Sequence, residues 1–242
     1  MNSKANALCG LCILLTHEKS FSQEKPDLSM VPKRFFDKVE FVMGPGLCLP
    51  NDHGYSEYIK NISSGSHTFG LESKIGYSVG VGFIHSVSKL IEIHGRILYE
   101  GKGYIQNDFV VASGDTYKFT SDYKNSYTTI AVMPTVVFGK KNRFHTYLGG
   151  YYGHLTNSTF TSTEYLNGQI QSIQQVIGNT SSYEGGILTG VGYSTFVKKM
   201  ISIDLQIQGN FGLTNMINDN QIKITSNCLM FIVALKYYRG VK

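Results

Sequence analysis

Residues 201–211 (ISIDLQIQGNF) alternate apolar and polar side chains. An extended strand there places Ile201, Ile203, Leu205, Ile207 and Phe211 on one face and Ser202, Asp204, Gln206, Gln208 and Asn210 on the other. A strand with two such different faces separates two media, but its period alone does not say which medium is inside. In a soluble sandwich or a ligand-carrying barrel the apolar face is buried; in a membrane barrel it meets lipid.

The length of 242 residues suits one all-β domain. With 16 Tyr, 14 Phe and 26 Gly against only 5 Pro, the composition favours many strands with tight bends over disorder. No apolar run approaches the roughly 18 residues that a transmembrane helix needs, so spanning a bilayer would require a closed barrel.

The N-terminus reads as an export signal over residues 1–22. Lys4 supplies a positive region, residues 7–15 (ALCGLCILL) an apolar one, and Ser20, Phe21 and Ser22 a small-residue site that predicts cleavage before Gln23. Cys9 lacks the small-residue context of a lipoprotein signal. Loss of this segment brings the net charge from +5 to +4, with Lys and Arg scattered singly, which argues against nucleic acid as a partner. Residues 23–38 are expected as a periplasmic segment, 39–238 as the barrel domain and 239–242 as a tail.

About eight candidate strands follow, at residues 39–48, 69–85, 89–103, 122–138, 143–156, 183–197, 200–213 and 225–238. The connections at 86–88, 139–142 and 198–199 are brief, whereas 49–68, 104–121, 157–182 and 214–224 are long and polar. Short and long connections therefore alternate, as in antiparallel up-and-down barrels of the outer membrane, with short periplasmic turns and long extracellular loops. Strands of about 14 residues also exceed the usual length of about 5–6 in globular sheets and suit a tilted crossing of a bilayer. The expected fold is all-β, a closed antiparallel transmembrane barrel of about eight strands.

Parity assigns Ile91, Ile93, Ile97, Ile201, Ile203, Leu205, Ile207, Phe211, Leu229, Phe231, Val233 and Leu235 to lipid. The opposite parity assigns Glu92, His94, Arg96, Asp204, Gln206, Gln208 and Lys236 to the lumen. About eight strands enclose an interior just wide enough for side chains to fill. A plugged lumen follows, with its charges paired, because a charge away from water is tolerable only with a partner. Only Cys48 and Cys228 remain after signal cleavage, at the extracellular ends of the first and last strands and with inward parity. They are expected either to form a disulfide across the closure seam or to stay as two buried thiols.

Two blocks carry a family resemblance. Residues 76–83 (GYSVGVGF) and 90–104 (LIEIHGRILYEGKGY) resemble the second and third strands of the PorT-like outer membrane β-barrel family of Bacteroidota. Residues 129–138, with Pro134, and 143–154, with Gly149 and Gly150, resemble its fourth and fifth strands. The resemblance spans residues 39–238 and is one of pattern, without a catalytic motif. The chain departs from the family in a long third loop and in a C-terminus that runs on through Arg239 to Lys242. The resemblance implies an outer membrane location and no enzymatic activity. The expected partners are outer membrane lipid and an envelope or secretion-system protein.

Other motifs carry less. The pairs Gly80/Gly82 and Gly190/Gly192 neither precede a helix nor complete a dinucleotide fingerprint, and read as strand glycines. The six histidines beyond the signal lack metal-ligand spacing, so no metal or cofactor is expected. His154, Ser158 and Glu184 could be drawn together as a lipid hydrolase, but a chain this rich in loop Ser and Glu offers such trios by chance. Two functional classes stay open: an outer membrane barrel that works through its extracellular loops, and a lipocalin-like ligand carrier with its apolar residues turned inward.

Overall fold

The computed structural model describes residues 36–52, 66–112, 114–139, 142–177, 180–216 and 223–239. The expected signal (1–22), most of the 23–38 segment and the tail beyond Arg239 lie outside the described residues. Nine strands occur among the described residues: β1 (Lys38–Asp52), β2 (Ser66–Ser86), β3 (Ile91–Ala112), β4 (Asp115–Phe138), β5 (Asn142–Leu166), β6 (Gln169–Ile177), β7 (Tyr183–Lys198), β8 (Ile201–Gly212) and β9 (Ile224–Tyr238).

Eight of them close into a ring, β1-β2-β3-β4-β5-β7-β8-β9, in which every neighbour is antiparallel and β9 returns to β1. Among the described residues β6 pairs with β5 alone. Closure matters because a bilayer core offers no water to the backbone, so a spanning sheet must have no open edge. The closing seam runs from Lys38 opposite Tyr238 to Asp52 opposite Ile224. Its pairing lapses only around Gly44 and Pro45. There a proline has no amide hydrogen to give, and a Cβ on Gly44 would stand 1.9 Å from the Phe231 carbonyl oxygen. Farther along the same seam Cys48 and Cys228 face each other and are joined by a disulfide, with a Cα–Cα distance of 4.1 Å.

The two faces of the wall sort by polarity. All twelve residues assigned to lipid point outward; Ile203 is 37% exposed and Ile207 50%, while Ile201 is half-buried at the foot of β8. Asp204, between two of these, is 0% exposed. Aromatic residues border the apolar band at both ends: Tyr77 beside Tyr99 and Tyr152 beside Tyr183 towards the long connections, Phe144 beside Tyr193 towards the short turns. A ligand carrier of lipocalin type needs the reverse arrangement, with the apolar residues enclosing a cavity.

The stretches 104–121 and 157–182, expected as loops, are largely strand. β3 and β4 continue past the belt until Ala112 faces Asp115. β5 runs on to Leu166, turns at Asn167 and Gly168 (φ 49° and 84°) and returns as β6. Two successive positive φ values make the tight hairpin that Asn-Gly favours. The tips of the two hairpins are tied, since Asn167 donates from Nδ2 to Asp115 Oδ1 (2.9 Å) and accepts from the Thr116 amide (2.9 Å). The result is a five-stranded sheet, β2-β3-β4-β5-β6, standing beyond the barrel. Its inner face carries a stacked ladder of Tyr104, Tyr123 and Phe160, with centroids 4.5 and 5.3 Å apart.

Two outcomes follow from this architecture. Cys48→Ser is expected to lower unfolding stability by about 2–4 kcal/mol. In urea titrations followed by the gel shift between folded and unfolded barrel, the wild type treated with reductant should then coincide with the variant. Leu205→Arg, which puts a cation in the lipid band, is expected to cost about 2–4 kcal/mol in the same assay, whereas arginine at Ile173 on β6, outside the band, should cost little.

Candidate functional site

The lumen is a packed polar interior. Near the short turns, Glu92 Oε1 receives Lys38 Nζ at 2.5 Å and Arg143 Nη2 at 3.0 Å, and His94 Nε2 lies 3.3 Å from Glu92 Oε2. One layer deeper, Arg96 donates from Nε to Glu40 Oε1 (2.6 Å), from Nη2 to Gln206 Oε1 (3.0 Å) and from Nη1 to Gln208 Oε1 (3.3 Å). The Tyr147 hydroxyl donates to the same two glutamine oxygens at 3.1 Å. Gln206 Nε2 donates to Asp204 Oδ2 (2.7 Å), which also receives Lys236 Nζ at 2.5 Å. All seven residues assigned to the lumen therefore meet in this interior.

A second network lies towards the long connections. Lys102 Nζ stands 3.2 Å from Glu184 and 3.3 Å from Glu100, over the rings of Tyr151 (4.8 Å) and Tyr127 (5.5 Å). The Tyr151 hydroxyl donates to Glu184 (2.7 Å) and the Thr129 hydroxyl to Glu100 (2.7 Å). Apolar side chains stand between the two networks on β3 and β7, while on β8 Gln208 donates to the buried Asn210 (2.7 Å) opposite Leu188. On β3, Leu98 stands between Arg96 and Glu100; on β7, Leu188 stands between Glu184 and Ser194. Val42, Met230 and Ile232 fill one side of this layer, Met133 and Ala131 the other.

Charge balance explains how such an interior is stable. Lys38, Arg96, Lys102, Arg143 and Lys236 are matched by Glu40, Glu92, Glu100, Glu184 and Asp204, and each of the ten has an oppositely charged neighbour. Arg96 is 1% exposed. Removing one member of such a pair leaves an uncompensated buried charge, a far larger penalty than the pair's net worth.

Parity alone did not identify Lys38, Lys102, Arg143, Tyr147 and Tyr151 as partners. Lys102 lies within the expected third strand (89–103) and continues the inward parity of Glu92 to Glu100, so parity carried to the end of that strand includes it. The trio His154, Ser158 and Glu184 does not assemble. His154 is exposed on the outer face, Ser158 donates inside to Asn125 Oδ1 (2.8 Å), and Glu184 is held by Lys102. Among the described residues, no group of three or more His, Cys, Asp or Glu side chains is arranged to hold a metal ion.

No curated protein matches this chain. Solved structures resemble it weakly. Neisserial surface protein A is 12% identical, covering 83% of this chain and 97% of its own with a TM-score of 0.42. Ail, the attachment invasion locus protein of Yersinia pestis, is 9% identical (84% and 99%, TM-score 0.40). The outer membrane protein OprG of Pseudomonas aeruginosa is 10% identical (84% and 97%, TM-score 0.44). The family profile described as "Outer membrane protein beta-barrel domain" matches residues 51–218. With an apolar band outside, a polar filled lumen inside and this match over most of its length, the chain belongs to the outer membrane β-barrel domain family and resides in the outer membrane.

Proposed function

We propose that the protein is a non-conducting barrel that acts by contact, presenting its outer sheet to an envelope or secretion-system protein, and that it is not an enzyme. The observation that carries this reading is the division of labour along the strands. Inside the belt they enclose paired charges and two clusters of buried apolar side chains, an interior filled by side chains. Beyond it, four of them, β2 to β5, continue and are joined by β6 in a sheet built largely of Thr, Ser, Asn, Gln and Tyr. The far edge of that sheet, β6 (QIQSIQQVI), has neither charge nor proline and pairs on one side only among the described residues. Natural edge strands usually carry such guards, and an unguarded edge accepts an extended segment as an added strand.

The finer kinship we propose is with PorT-like barrels of Bacteroidota, supported by residues 76–83 and 90–104. Outer membrane lipid surrounds the belt, and Lys and Arg scattered along the sequence argue against nucleic acid as a partner.

In planar bilayers the purified protein is expected to give no single-channel steps, and a photo-cross-linker at Gln171 in cells to give one discrete protein adduct. Regular ion conductance, or no adduct at any β6 position, would overturn the proposal. Arg96→Ala is expected to cost about 3–5 kcal/mol in urea unfolding, because the buried Glu40 loses the cation that hydrogen-bonds it. The double substitution of Arg96 and Glu40 by Gln should regain most of that loss.

A further inference from the structure

The outer wall is not evenly covered. Across β5, β7 and β8 lies a groove of about 430 Å³ with an almost wholly apolar lining, open to the outside. It runs between two rows of outward side chains set by strand register. Phe144, Tyr193 and Leu205 form the row nearer the short turns; Thr146, Val191, Ile207 and Phe231 form the next. The groove exists because Thr146 and Val191 are short where their neighbours are aromatic or long.

Its depth selects the occupant. Phe138 and Phe144 flank the short turn between β4 and β5, and short turns of outer membrane barrels are periplasmic, so the groove lies in the inner leaflet. At the same rim the turn between β7 and β8 carries Lys198 and Lys199, both exposed. Tyr193 stands five residues along β7 from Lys198, roughly 16 Å of strand and about 12 Å of depth at the usual tilt. Half of a bilayer core of about 30 Å is about 15 Å, so a chain whose phosphate sits at those lysines reaches the groove. The groove is continuous with the lipid-facing band, which leaves acyl chains as the matter that fills it.

The geometry points to a specific site for one inner-leaflet phospholipid, with an acyl chain in the groove and its phosphate at Lys198 and Lys199. Packing against a fixed, shaped wall gives that chain contacts that annular lipid on a smooth wall does not have.

The full chain, reconstituted in vesicles of phosphatidylethanolamine and phosphatidylglycerol and transferred to detergent, is expected to retain one phospholipid per barrel in native mass spectrometry. Val191→Phe, which fills the groove, should lower that retention about tenfold, the loss of the packing of a few methylenes. The double substitution Lys198→Gln with Lys199→Gln should lower it as well. Val132→Phe, on the belt outside the groove, should leave it unchanged, and all variants must first show the folded gel mobility. No retained phospholipid on the wild type, equal retention in Val191→Phe and Val132→Phe, or preference for lipid A from mixed vesicles would each overturn the site.

Discussion

Everything in this fold depends on the backbone pairing of β1 with β9. A sheet in hydrocarbon cannot leave amide and carbonyl groups unpaired, and seven antiparallel pairings satisfy all but two strands. The eighth, between segments nearly the whole chain apart, satisfies those two and defines an inside. Once the inside exists, the side-chain period of two determines the rest. Each outward residue must suit lipid, and each inward residue must find its partner within a space about one side chain wide.

The lumen meets that second condition by pairing across strands distant in sequence. Arg96 on β3 reaches Glu40 on β1 and two glutamines on β8; Lys102 on β3 reaches Glu184 on β7. These contacts span the interior and hold opposite walls at one distance. Leu98 and Leu188 lie between the two polar layers, while on β8 the polar row runs on through Gln208 to Asn210.

How much of this was legible in the sequence follows from where two media meet. Within the belt, lipid outside and a crowded lumen inside impose alternation, and Ile201 to Phe211 and Glu92 to Arg96 display it plainly, whereas Leu229 to Lys236 is apolar on both faces up to Lys236 because its inward residues join the apolar cluster of the lumen. Beyond the belt neither face of the sheet meets lipid, so the alternation fades and Thr, Ser, Asn and Gln read as loop. Residues 104–121 and 157–182 read as loop for that reason, although Asn167-Gly168 is a local hairpin signal. The lumen partners Lys38, Arg143 and Tyr147 were hidden for another reason. Which inward residues meet depends on the stagger of the closed ring, and no single strand carries that information.

The disulfide at the seam has a consequence for how the protein weathers its surroundings. Cys48 and Cys228 lie 180 residues apart, and nearly every segment exposed above the outer leaflet falls between them. A protease that severs one of those segments creates two fragments that remain covalently attached through this bond. A cell-surface barrel fastened in this way can be nicked without being shed.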